Sequence, residues 1–423
     1  MFARACDEQF NSKEIGTMKK DVMLIANYWH FENEKNSSRY RSFADILCKE
    51  YDLEVVTSTF CHLKKAQRNE ADLQLEKLPY RMKLCYEKGY NKNISLQRIF
   101  SYTEFGKNVL KYLKTRKKPE LIMVSVPSLA VADYVSRYAK ENDIPLILDI
   151  QDLWPEAFKM AIHIPIVSDI LFAPMMHQAN RIYSMADVIM AVSNTYVARG
   201  KRVNPTADTL SIYIGTDSEL VKEKTKGVEI SIEEGKFVIG YVGALGYSYD
   251  IKGVIDAIKL LKDEEHKVNI KLIVMGDGVC RAEFENYAHK SGIDCEFTGL
   301  LEYGKMMKTL MACDVAVNPI VGRSVSSIIN KVSDYAAAGV PVINTQNSKE
   351  YRDLLDRYKA GINVENGNIR ELAYAIRKFY CDSDFKNEVG SNEKKMFEEV
   401  FDRAKNYPRL IYKMEELLGE QKD

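Results

Sequence analysis

Asn330, Lys331 and Asp334 fall within a few residues of one another in the stretch Ser326–Thr345, SSIINKVSDYAAAGVPVINT. At three- and four-residue spacing on a helix, an amide, an ammonium and a carboxylate share one side. Such a trio can hold the hydroxyls and phosphates of a nucleotide. The pattern predicts a helix that opens after the serine pair, buries Ile328, Val332, Tyr335 and Ala336, and stops at Gly339. The strand Val340-Pro341-Val342-Ile343 follows at once, and a helix followed by a buried strand is half of a parallel unit.

Two glycine loops add to this chemistry, Gly243-Ala244-Leu245-Gly246 and Gly276-Asp277-Gly278, each directly after an apolar run. Glycines let backbone approach a ligand closely, and amides at a helix start favour anions. A nucleotide's diphosphate needs its charge met when it is bound, which amides and cations can do without a metal. Lys252, Arg323 and Lys331 are the cations placed for that task, Arg323 as a clamp in the loop before the central helix. Asp277 could touch a ribose or a sugar, although a turn-forming Asp277 fits the sequence as well. Asp149 and Asp152 stand at the carboxyl end of an apolar run, where open α/β sheets bind ligands, and could orient a hydroxyl. Asp152 reads equally as a helix cap and Trp154 as core. His30 and His62 are the imidazoles early enough in the chain to lie near a cleft.

Asn-Lys-Val-Ser-Asp-Tyr-Ala-Ala-Ala-Gly-Val-Pro-Val-Ile resembles the donor-site segment of the retaining glycosyltransferases of the GT-B fold, group 4, written Ser-Lys-x-x-Glu-Tyr-x-Ala-x-Gly-x-Pro-Val. Asp-Ile-Gln-Asp-Leu-Trp-Pro-Glu, at 149–156, is similar to a cleft segment of a bacterial surface-polysaccharide branch of that family. Residues 181–193 resemble its Ala-Asp-x-Val-x-x-Val-Ser, and residues 210–217 its Asn-Gly-x-Asp turn, with Ile214 in the asparagine's place. The resemblance implies that Asp334 stands for the second carboxylate of a Glu-x7-Glu pair, the one that binds ribose. Ser326 stands where the first, sugar-contacting carboxylate would be. Ala244 and Leu245 occupy the place of a usual Arg or Lys, so that role passes to Lys252 or Arg323. It further implies retention of configuration, with the donor phosphate as proton acceptor, and no cofactor beyond the nucleotide sugar.

The elements around these positions alternate. Apolar runs at 22–27, 53–57, 120–126 and 144–149 are separated by helical stretches, and the alternation begins again at Lys236. The expected fold class is α/β, with two Rossmann-like domains facing a central cleft. The divisions are a leader at 1–17, an acceptor domain at 18–217 and a charged linker at 218–235. A nucleotide-sugar domain follows at 236–400, and a helix within 401–423 is expected to pack back on the first domain.

The chain has 423 residues, enough for two full cores, and 60 basic residues balance 60 acidic ones. A formal charge of zero argues against a general nucleic-acid binder. Eight cysteines without a CxxC spacing point to reduced thiols in a cytoplasm and away from structural zinc. Asp7, Glu8, Lys13 and Glu14 interrupt what a signal peptide would keep apolar. No uncharged run reaches the ~18 residues of a membrane span. Basic and apolar residues interleave over 62–92, which suits an anionic membrane surface or a phosphorylated lipid acceptor as well as a solvated face. The apolar stretch 158–176 suits a lipid-linked acceptor groove or buried packing.

These readings make the chain a transferase acting on a nucleotide sugar and a glycan or lipid-linked acceptor, cytoplasmic and at most peripheral to the inner membrane face. A nucleotide-sugar 2-epimerase and a non-catalytic nucleotide-binding subunit share the architecture.

Overall fold

The computed structural model describes residues 19–34, 38–93, 95–159, 165–265, 268–321 and 328–419. In chain order the first strands are β1 (Asp21–Ile25), β2 (Asp52–Ser58), the short pair β3 (Phe60–Cys61) and β4 (Ala66–Gln67), and β5 (Arg81–Cys85). β6 (Leu121–Val126), β7 (Leu146–Ile150), β8 (Val188–Ala191) and β9 (Asp208–Ser211) follow. β1, β6, β7 and β8 are buried along their whole length, as strands covered by helices on both faces must be. Among the described residues the first sheet is parallel with order β5-β2-β1-β6-β7-β8-β9. Alternation sends Met23 and Ile25 to one face and Val22 and Leu24 to the other. Helices α1 (Arg39–Glu50), α2 (Leu96–Thr115), α3 (Leu129–Glu141), α4 (Glu156–Lys159), α5 (Pro165–Ser184) and α6 (Asn194–Lys201) accompany this sheet.

A second parallel sheet is built from β10 (Phe237–Val242), β11 (Ile270–Met275), β12 (Cys295–Gly299), β13 (Val315–Asn318), β14 (Val342–Asn344) and β15 (Gly361–Asn363). Its order is β12-β11-β10-β13-β14-β15. The strand order of each sheet reverses beside its first strand, at β1/β6 and at β10/β13. Loops leaving such strands diverge and leave a crevice. The helices after β9 are α7 (Ser218–Thr225), α8 (Ile251–Glu264), α9 (Arg281–Ser291), α10 (Tyr303–Met311), α11 (Lys331–Ala338) and α12 (Lys349–Tyr358). Last come α13 (Ile369–Cys381), α14 (Ser383–Met396), α15 (Arg403–Asn406) and α16 (Arg409–Leu417).

Four local findings differ from the sequence reading. The central helix begins at Lys331, later than the serine pair suggests; Ile328 is buried before it in non-helical chain, and Asn330 is its N-cap residue. The basic stretch 62–92 contains the edge strand β5, whose Arg81 pairs with Asp21 and Asp52. Arg68 from the same stretch is folded inward, bonded to Glu34 and to the carbonyls of Trp29, Ser58 and Phe60. Residues 218–235 start as helix α7, whose Val221 clusters with Met306, Met307 and Leu310 of α10.

The two lobes are tied in three places. The chain crosses between them at 214–216 and again at 401–403, and the crossings pair as a ribbon: Thr216 N donates to Phe401 O and Arg403 N to Thr216 O. Gly215, at φ +63°, is required here, because a Cβ would lie 2.2 Å from the Phe401 carbonyl oxygen. Tyr407, Leu410 and Met414 insert into the core under β1 and α1. Glu350 of α12 accepts from the backbone N–H of Asn194 and Thr195 at the start of α6, and from Tyr213 Oη.

Candidate active site

The second lobe presents loop 243–250 and the chain at 319–321 and 328–330 at its switch point, with the 276–280 loop beside them. The glycines of the first and third loops serve one another. Gly276, at φ +153°, lies so close to Gly243 that a Cβ would stand 1.9 Å from its carbonyl oxygen, and Gly278 meets the Leu245 backbone in the same way. Leu245 N bonds to Asp277 O at 2.9 Å, so the two turns form one rigid double layer. Gly246 has open space above it.

Beneath this layer lies Lys331. Its side chain rises from the first turn of α11 with the ammonium 4.1 Å from the Tyr241 ring centre and 4.0 Å from that of Tyr249. A Cβ on Gly243 would come within 2.8 Å of Nζ. Nζ is buried and, among the described residues, has no hydrogen-bond partner. Desolvation holds its pKa well below the ordinary 10.5. An unpartnered buried ammonium is costly, and two aromatic faces compensate only in part. An anion entering over the Gly243 loop would supply the missing partner, and the donors and dipole of a helix start would act in the same direction.

Asp334 lies one turn further along α11. Its Oδ1 accepts from Thr216 Oγ1 at 2.8 Å and from Tyr303 Oη at 3.1 Å. It lines a cavity of about 280 Å³ with Ile214, Asp217, Leu220, Tyr303, Asn330 and Arg403, where the crossing ribbon meets the second lobe. Burial, then the Asp334 charge, holds the Tyr303 phenol far above its usual value and keeps it a donor. Asn330 is exposed on the rim of this cavity.

Lys331 thus lies with Gly243 beneath the β10 loop, whereas Asp334 and Asn330 line the separate cavity at the crossing ribbon. Lys252 joins neither: its ammonium is paired with Glu283 on the α8–α9 surface. Asp277 turns back on its own loop, accepting from Gly278 N at 2.7 Å. Arg323 and Ser326 lie outside the described residues.

The first lobe fills its switch point differently. Asp149, a sequence candidate, is fully buried and bound by Arg39 through two 3.0 Å bonds. Arg39 in turn donates to the carbonyls of Ile212 and Tyr213. This pair carries structure, and neither member is open to a ligand. His62 is buried between Asn27, at 2.8 Å, and the Tyr90 hydroxyl, at 3.1 Å. Residues absent from the sequence reading complete the floor. Arg98, at the start of α2, donates at 2.6 Å to the hydroxyls of both Tyr28 and Tyr102, and its guanidinium lies 4.9 Å from the half-buried Trp154 ring. Ser95, the N-cap of α2, was the local signal for it.

Asp152 adjoins this floor. Its side chain is reached by solvent, yet the mass of protein around it raises the carboxyl above its ordinary value near 3.8, with Arg98 opposing. That combination describes a carboxylate set deep in an open crevice.

Residues 236–382 match the family described as glycosyl transferases group 1. The second lobe is a glycosyl transferase group 1 domain. The enzyme is a transferase. The whole chain also resembles solved structures. For Anabaena Alr3699/HepE in complex with UDP the TM-score is 0.67 at 15% identity, covering 94% of this chain and 100% of that one. For sucrose-phosphate synthase from Thermosynechococcus elongatus it is 0.68 at 14%, covering 95% and 100%. For an alpha,alpha-trehalose-phosphate synthase (UDP-forming) from Burkholderia vietnamiensis it is 0.65 at 7%, covering 94% and 100%. These likenesses give the fold, the two-lobed GT-B arrangement. The chain matches no curated protein. Among the described residues no helix is long and apolar enough to cross a membrane.

Proposed function

We propose that this transferase moves a sugar, with retention, from a nucleoside diphosphate sugar to a glycan or lipid-linked acceptor in surface-polysaccharide synthesis. The observation that carries the donor half is the buried Lys331 amine under Gly243, which has no hydrogen-bond partner among the described residues. As the sugar–phosphate bond breaks, negative charge grows on the diphosphate. Lys331, the start of α11 and the backbone around Gly246 are positioned to stabilise it. Asp334, with Thr216 and Tyr303 fixing its orientation, is the group assigned to the ribose. Loop 243–246 lacks a cation of its own, which leaves the charge of Lys331 to do most of this work.

On the acceptor side Asp152 orients the incoming hydroxyl, and the leaving phosphate takes its proton. Structural neighbours solved in complex with UDP and with UDP-glucose make those the first donors to try. The test is transfer from a panel of nucleoside diphosphate sugars to lipid-linked and free glycans, with the product anomer read by NMR. Failure to bind or consume any of them would sink the reading. Epimerised donor without an acceptor would replace it with the epimerase.

A further inference from the structure

α2 turns two unlike sides to its surroundings. Arg98 and Tyr102 join the floor of the first lobe's crevice. Leu96, Ile99 and Phe100, at positions i, i+3 and i+4, form a separate stripe that is 72%, 50% and 70% exposed. The same stripe continues down the helix as Glu104, half-buried and accepting from Lys88 N at 2.8 Å, and then Lys107 and Lys111, both exposed. Next to the first turn is the 62–65 loop, where Leu63 is 60% exposed and is followed by two lysines. Lys65 Nζ lies 4.1 Å from the Tyr90 ring, and the Tyr90 hydroxyl meets that of Tyr102 at 3.2 Å, so this loop reaches α2 through Tyr90 on the helix's crevice side. None of Lys64, Lys65, Lys92, Lys107 and Lys111 takes part in an ion pair among the described residues.

We infer that the first turn of α2, with the tip of the 62–65 loop, is a docking surface for an anionic phospholipid bilayer. Large apolar side chains gathered on one exposed turn mark an interaction site. The choice of occupant follows from charge and size. Lysines without counter-ions surround the apolar tip, the arrangement by which an interfacial helix inserts shallowly while its cations reach anionic headgroups. Four side chains fall well short of the roughly 800 Å² per partner that a stable protein dimer buries.

Docking there would set the crevice of Arg98, Trp154 and Asp152 at headgroup level, one helix face from the bilayer. The purpose of this contact rests on the lipid-linked acceptor proposed above; the contact itself does not. It is tested without any sugar nucleotide, by sedimenting the full chain with vesicles of phosphatidylglycerol and phosphatidylcholine, or of phosphatidylcholine alone. Binding is expected with the anionic vesicles and is expected to weaken as salt rises. Leu96→Ser with Phe100→Ser should lower that binding at least ~10-fold with an unchanged melting curve. Leu300→Ser, an equally exposed position on the other lobe, should leave it intact. Wild-type protein left in the supernatant, equal binding to neutral vesicles, or equal binding by the double variant would each overturn the inference. So would self-association that the double variant abolishes, because the face would then join two copies. If vesicles bind as expected and no donor does, the inference stands and the proposed function falls.

Discussion

The two lobes share a topology and prepare their crevices by opposite means. The second lobe uses backbone and one cation: glycines pressed into a double layer, with Lys331 left partnerless beneath them. The first lobe uses side chains that satisfy one another, Arg39 with Asp149, Arg68 with Glu34, and Arg98 with two tyrosines. A site that carries its own electrostatic deficit suits a fixed anionic group. A site whose polar groups are already paired recognises by shape, and leaves Asp152 as its open carboxylate. Under the proposed function, the same fold would divide a general task, holding diphosphate, from a particular one, choosing an acceptor.

The largest test of this contrast concerns stability in the first lobe. Arg39→Met leaves Asp149 charged and buried without its partner, and is expected to cost about 3–5 kcal/mol in urea unfolding. Adding Asp149→Leu should recover much of that loss. Lys331→Met is expected to act with the opposite sign, stabilising the unliganded protein by about 1–3 kcal/mol while lowering kcat/KM for the donor about 100-fold. The pH dependence follows from the depressed pKa. Between that lowered value and the ordinary 10.5, the unfolded chain holds a proton that the folded chain does not, so Lys331 makes stability rise with pH across this window. The slope should disappear in Lys331→Met. Binding of a diphosphate should draw a proton onto Lys331, visible by calorimetry as heat that varies with the buffer's ionisation enthalpy.

Smaller effects sharpen the acceptor side. Asp152→Asn is expected to reduce acceptor turnover about 10-fold with donor binding unchanged. In the wild type, acceptor turnover should fall as pH drops through the raised pKa of Asp152, because the ionised form is the one that orients a hydroxyl. The mildest variant is Glu350→Gln, which weakens the cap on α6 by about 1 kcal/mol. Its expected signature is a slightly larger radius of gyration in solution scattering, as the lobes part more easily.

Much of this was legible in the chain. Apolar runs and their spacing place β1, β2, β6, β7 and β10, and Gly339 ends α11 in the left-handed conformation that its position after the helix suggests. The edge strand β5 was hidden because Arg81 and Lys83 alternate with apolar residues at the sheet margin, where charge is tolerated. Asp149 reads as a site residue from its place at a strand end, but its partner Arg39 is distant in sequence, and burial is a property of the fold. Lys331 is the reverse case. Its place in the donor-site motif was readable, whereas its lack of a partner depends on Tyr241, Tyr249 and Gly243 closing around it.

The intrusion of Tyr407, Leu410 and Met414 into the first lobe's core has a consequence for biogenesis. During synthesis that lobe emerges first, yet the residues that seal one side of its interior are made after the entire second lobe. The nascent N-terminal half must wait, with Phe43 and its neighbours uncovered, so the order of translation and the order of completion run in opposite directions.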